Sequence, residues 1–167
     1  MKIAVIGAPG AGKSTVGPLL AERLGLQFTD ADAEIERREN RLIREIFATE
    51  GEPAFRTLER DVTLELLNAP GVISLGGGAP MTPEIAEALS TLTVIWLGVN
   101  SHHALKRIGI DSTRPILAGG GVRATLIKLL NERTPTYQRL ATVSVDTSGQ
   151  EAAAVVEEIL RQLSDRA

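Results

Sequence analysis

The sequence predicts an α/β fold, an open parallel sheet with helices on both faces. Three observations lead there. Short apolar, branched runs alternate with helical stretches along the 167 residues, and that alternation builds parallel βαβ units. The first of these runs ends in a glycine-rich loop that opens a helix, so a ligand-binding turn sits at the carboxyl end of a strand. The length suits a single domain over residues 1–167, since domains commonly hold roughly 50–250 residues. A chain of this size buries a core without a disulfide or metal staple.

The elements follow in order. Residues 2–6 are branched and apolar, stop at Gly7, and read as a buried strand. Residues 13–24 form a helix ending near Gly25; Pro18 lies in or just past its first turn and predicts a bend. Residues 26–29 make a short second strand ending at Asp30. Residues 32–38 and 41–50 are charged helices, their run from Glu34 to Glu45 a solvated face. Residues 52–68 form a longer helix with Leu58, Val62 and Leu66 in its apolar stripe. Residues 72–75 are a buried strand ended by Gly76-Gly77-Gly78, residues 83–89 a helix, and residues 93–97 the central strand. A helix at 101–107 precedes an irregular, glycine-rich stretch at 109–121, a candidate mobile loop. Residues 126–139 are helical with an interruption near Pro135, 141–145 the last strand and 151–163 the closing helix.

Composition removes several classes of function. There is no cysteine, which excludes disulfides, thiolate zinc sites and thiol nucleophiles. The histidines, His102 and His103, are adjacent, so they make no helical i, i+4 metal pair and read as an exposed helix start. Eighteen Lys and Arg against 21 Asp and Glu leave a net charge of -3, the wrong sign for a general nucleic-acid binder. One Trp, one Tyr and three Phe are too few for a base-stacking platform. No apolar run approaches the ~20 residues of a membrane helix, and the apolar start is too short for a secretory signal. The expectations are therefore a cytoplasmic monomer with neither a membrane nor a nucleic-acid partner.

Gly7-Ala8-Pro9-Gly10-Ala11-Gly12-Lys13-Ser14-Thr15 fits the phosphate-loop pattern G-x-x-x-x-G-K-[ST], placed between strand and helix as the motif requires. Glycines let successive N–H groups turn into one concavity, and the helix N-terminus adds positive potential. Lys13 supplies charge for the β- and γ-phosphates, and the Ser14 hydroxyl can ligate Mg²⁺. Gly10, Ala11, Gly12, Lys13, Ser14 and Thr15 are the candidate ATP contacts.

The acceptor side is read from scattered residues. Asp30 and Asp32 follow the second strand at i, i+2; one could hold the metal and the other take a hydroxyl proton, or the pair could simply cap a helix. Arg56 and Arg133 could converge on a carboxylate, or be surface charges. Glu59 follows Arg56 by three residues and could hold its guanidinium. Gly76, Gly77 and Gly78 suit close backbone approach to a ligand, or a simple turn. Arg114, beside Pro115 in the glycine-flanked loop, could close over phosphates. Arg107 could contact nucleotide or answer the helix dipole.

Taken together these motifs resemble the shikimate kinase family: Gly7 to Thr15, Asp30-Ala31-Asp32, Ile46-Phe47-Ala48 with Gly51-Glu52 and Phe55-Arg56, Leu75 to Ala79, Arg114-Pro115-Ile116-Leu117, and Arg133-Thr134-Pro135-Thr136-Tyr137. The resemblance runs almost the whole chain. It implies a P-loop NTPase fold like that of nucleoside monophosphate kinases, with a five-stranded parallel sheet, a substrate-binding region at about 30–60 and a mobile lid at about 109–121. It implies transfer of the ATP γ-phosphate to the 3-hydroxyl of shikimate, toward chorismate and aromatic amino acids. Lys13 and Ser14 would then handle phosphates and Mg²⁺, with Asp30 near the metal through water. Asp32 would act on the attacking hydroxyl, and Lys13, Asp32 and Arg114 would be the catalytic set. Arg56 and Arg133 would grip the carboxylate and Gly77 would contact a hydroxyl. Arg107 would lie over adenine, and Phe47, Phe55 and Pro115 would wall the pocket. Pro18, Ile108 to Asp111 and Gly119 to Gly121 depart from the family's pattern.

Overall fold

The computed structural model describes residues 1–108 and 121–166. Five parallel strands form one sheet in the order β2-β3-β1-β4-β5, with β1 at Lys2–Ile6, β2 at Phe28–Asp30, β3 at Gly71–Ser74, β4 at Thr93–Gly98 and β5 at Val143–Asp146. β1 is central, its Ile3 aligned with Val72 of β3 and Thr93 of β4. Ile3 to Ile6 are buried on both faces, as expected of a central parallel strand covered by helices.

One apolar layer joins Ile3, Val5, Leu97 and Val143 to Val16 and Leu20 of helix α1 (Lys13–Leu24) and to Val155 and Ile159 of α8 (Ala152–Arg166). The other joins Ala4, Ile6 and Ile73 to Leu67 of α4 (Glu52–Leu67), Leu89 of α5 (Pro83–Leu89) and Tyr137 of α7 (Gly121–Leu140). Helices α2 (Ala31–Glu39) and α3 (Ile43–Glu50) pack on α4 through Ile35, Ile46, Phe55 and Val62. Helix α6 (Ser101–Ile108) meets the start of α7 through Ala104, Leu105 and Leu126.

Two expectations need correction. The last helical stretch before β5 is unbroken from Gly121 to Leu140, with Pro135 inside it; Leu130, Tyr137 and Leu140 anchor it on the sheet on both sides of the proline, which outweighs one missing backbone donor. Helix α1 runs through Pro18, as the sequence places it, and the proline lies on an exposed stretch while Val16, Gly17, Leu20 and Ala21 are buried. A 3-10 turn at Ala79–Met81 follows the triple glycine and has no forecast in the sequence reading. The second strand begins later than expected, at Phe28, because its pairing with β3 spans only Phe28 to Asp30.

Candidate active site

The functional side chains gather beyond the carboxyl ends of β1, β2 and β3. A cleft of about 530 Å³ is bordered by residues 9–15, Asp30, Asp32, Gly76, Gly77 and Arg107. Its floor is the phosphate loop. Gly10 and Gly12 hold φ of 82° and 95°, a left-handed backbone that side-chain-bearing residues resist. Gly12 is also the N-cap of α1 and provides no side-chain capping bond, so the first N–H groups of the helix are left for an anion.

Lys13 reaches back over the loop. Its Nζ donates to the carbonyls of Gly7 (2.5 Å) and Ala8 (3.1 Å). Burial pulls the ammonium down to about 8, with Asp32 and Asp30 opposing and Arg133 assisting.

The structure places both aspartates at the cleft. Asp30 is the N-cap of α2, its Oδ1 accepting from the Ala33 N–H at 3.1 Å, and it still borders the cleft. Asp32, inside the first turn, has a buried Oδ1 with no hydrogen-bond partner among the described residues. Burial pushes its carboxyl up to about 6, with Glu59 and Asp30 adding to the rise and Lys13 opposing it. A buried acceptor without a donor is unfavourable by about 1–3 kcal/mol, a cost that a hydroxyl donor in the cleft could relieve.

Glu59 is only 2% exposed and accepts from Arg56 Nη1 at 2.8 Å. Burial raises its carboxyl, and the Arg56 hydrogen bond works the other way. The Arg56 guanidinium lies 5.3 Å from the Phe55 ring centroid, near enough for a cation–π contact. Phe55 is buried and Phe47, 36% exposed, stacks on it at 4.8 Å. These two rings stand beside Arg56, in the α3–α4 contact.

The triple glycine is the wall on which these groups rest. None of its three members has a positive φ, so backbone freedom is not the reason for glycine there. Space is. A Cβ on Gly76 would lie 2.8 Å from Asp32 Oδ1 and 3.1 Å from Glu59 Oε2; on Gly77, 2.9 Å from Arg133 Nη1; on Gly78, 2.8 Å from Arg56 Nη2. Consecutive residues thus back the carboxylate and the two arginines.

Arg107, at the end of α6, donates to the Gly10 carbonyl (3.2 Å) and to Thr147 Oγ1 (2.7 Å). Arg114 and Pro115 lie outside the described residues, as does the 109–120 part of the expected lid. Two contributors escaped the sequence reading. Tyr137 was part of a motif without a role, although it lies one helical turn from Arg133 and is the only tyrosine; its hydroxyl donates to the Gly77 carbonyl. Thr147 closes the stretch that the family resemblance covers, Val145-Asp146-Thr147, but had no role assigned to it.

The model of the family described as "Shikimate kinase" matches residues 9–164. The chain belongs to the shikimate kinase family. It is 48% identical to a shikimate kinase of Thermobifida fusca over 160 residues, covering 95% of this chain and 92% of the relative. With a shikimate kinase of Rhodococcus erythropolis the identity is 43% over 166 residues, covering 99% and 98%. Its structure matches that of the Acinetobacter baumannii shikimate kinase in complex with shikimate at a TM-score of 0.91 and 36% identity, covering 98% of this chain and 93% of the other. The chain is accordingly an ATP-dependent phosphotransferase with an alcohol acceptor on a P-loop kinase fold. No described helix is long and apolar enough to cross a membrane.

Proposed function

We propose that this kinase transfers the γ-phosphoryl group of ATP to the 3-hydroxyl of shikimate, giving shikimate 3-phosphate and ADP. The observation that carries the acceptor side is the shared wall. Gly76, Gly77 and Gly78 bring Asp32, Arg133 and Arg56 within contact of one turn, so one molecule bearing a hydroxyl and a carboxylate can meet all three.

The triphosphate lies on the loop from Gly10 to Thr15, and Lys13 leaves the Gly7 and Ala8 carbonyls for the phosphate oxygens. Arg56, steadied by Glu59, and Arg133 bind the carboxylate in bidentate fashion. Asp32 orients the acceptor hydroxyl and receives its proton as the new O–P bond forms and the β,γ bridging bond breaks toward ADP. The proton then passes to solvent. Ser14 and Asp30 border the same cleft and offer a hydroxyl and a carboxylate, hard oxygen donors that suit Mg²⁺. The ion supplies charge neutralisation on the β- and γ-oxygens when bound. The family resemblance assigns Arg114 to the same neutralisation. Transfer is then mainly positioning and electrostatics. The proposed working unit is a monomer in the cytoplasm.

The test compares shikimate with its neutral methyl ester, using wild type and Arg133→Ala. The proposal expects the ester to bind weakly to wild type, and the variant to distinguish acid from ester far less. Equal affinity of acid and ester for wild type would dismiss the carboxylate clamp.

A further inference from the structure

Thr147 lies just past β5 and is 1% exposed. Its hydroxyl touches parts of the fold that the chain keeps far apart. Oγ1 is 3.0 Å from the Ala11 carbonyl in the phosphate loop and 3.0 Å from the Gly98 carbonyl at the end of β4. It also accepts from Arg107 Nη1 at 2.7 Å, while Arg107 Nη2 donates to the Thr147 backbone carbonyl. A hydroxyl has one proton to give and lone pairs to receive. Here the proton goes to the loop or to the strand end, and a lone pair holds the guanidinium.

We infer that Thr147 is a positioning residue for nucleotide binding, fixing Arg107 and the Ala11 segment of the phosphate loop relative to each other. The inference rests on the reading of the loop and Arg107 as the nucleotide side of the site. Three features carry it. Arg107 is fastened twice to this one residue, through side chain and backbone. The same hydroxyl reaches the loop between Gly10, whose carbonyl Arg107 also contacts, and Gly12, the helix N-cap. Finally, Arg107 is the penultimate residue of α6, so without this anchor a long cation would be free to leave the cleft. The acceptor side has no share in these contacts; it is built on the triple glycine and on α2, α4 and α7.

Thr147→Val keeps the shape and removes the hydroxyl, whereas Thr147→Ser keeps the hydroxyl and removes a methyl. The expected result for Thr147→Val is a KM for ATP raised about tenfold, the scale of losing a hydrogen bond to a charged group, with KM for shikimate unchanged. Thr147→Ser should stay close to wild type. In an Arg107→Met background the effect of Thr147→Val on KM for ATP should shrink, because the share carried through Arg107 is already lost and only the Ala11 contact remains to lose. Unequal outcomes separate the two readings. If Arg107→Met alone leaves KM for ATP unchanged, the nucleotide assignment of Arg107 fails and this inference with it. If Arg107→Met weakens ATP but Thr147→Val does not, or Thr147→Ser is as impaired as Thr147→Val, or both substrates weaken equally, only the positioning role is overturned. Should Thr147→Val fail to fold, Thr147→Ala compared with Thr147→Ser gives the same contrast.

Discussion

The Tyr137 hydroxyl donates to the Gly77 carbonyl at 2.5 Å, joining residues 60 positions apart. Tyr137 is 1% exposed and its ring packs on Trp96 at 6.1 Å, so the phenol is held from both sides. Gly77 is the glycine against which Arg133 lies, and Arg133 precedes Tyr137 by one turn of α7. One helix therefore supplies a candidate carboxylate ligand and the bond that fixes the surface under it. Tyr137→Phe should cost about 1 kcal/mol of stability, the usual worth of a neutral hydrogen bond. It should raise KM for shikimate more than KM for ATP. Denaturant unfolding and steady-state kinetics check the two parts.

Gly78→Ala makes a sharper separation. Gly78 has φ of -92°, which alanine adopts freely, and the three atoms nearest the added Cβ all belong to the Arg56 guanidinium. Thermal stability should change little. The guanidinium must move, however, so KM for shikimate should rise severalfold with KM for ATP unaffected. A large drop in melting temperature would show instead that the glycine serves the fold.

Asp32→Asn should abolish most turnover yet stabilise the protein at neutral pH. The folded-state carboxyl sits at about 6 against an ordinary 3.8, so the folded chain binds the proton more tightly than the unfolded chain. Stability then falls as pH rises from 3.8 toward 6, and the penalty is fully present above that window. Removing the charge should recover up to about 3 kcal/mol at pH 7, a gain that fades to nothing below the window. Unfolding curves of both proteins at several pH values test it.

The same groups set a pH profile. In the proposed mechanism Asp32 must be ionised to take a proton, and Lys13 must be charged to hold phosphate. With the free-enzyme groups at about 6 and about 8, kcat/KM should be bell-shaped, with limbs near those values. Lys13→Arg, permanently charged, should lose the alkaline limb in whatever activity remains. An alkaline limb unchanged in that variant would assign it to another group.

Much of this was legible in the sequence because the physics was local. A branched run, a glycine loop and a helix in succession determine the phosphate site, and the spacing of Arg56 and Glu59 along one helical face foretells their 2.8 Å contact. Which aspartate caps the helix was not legible, since either one could do so; only the helix start at Ala31 decides it. The purpose of the triple glycine was hidden as well. Glycine signals either unusual φ or a need for space, and here the space is claimed by side chains from α2, α4 and α7. The role of Thr147 was hidden because its partners, Ala11, Gly98 and Arg107, come together only when β4 and β5 pair. Pro135 misled because local backbone preference yielded to packing along α7.

The most direct test of the acid-acceptor kinase is acceptor-dependent ADP release with Mg·ATP, comparing shikimate, gluconate, CMP, AMP and no acceptor. Release that requires shikimate, and falls sharply in Asp32→Asn and Arg133→Ala, is the predicted result. Release that is equally fast with a nucleoside monophosphate, or that proceeds without any acceptor, would contradict it.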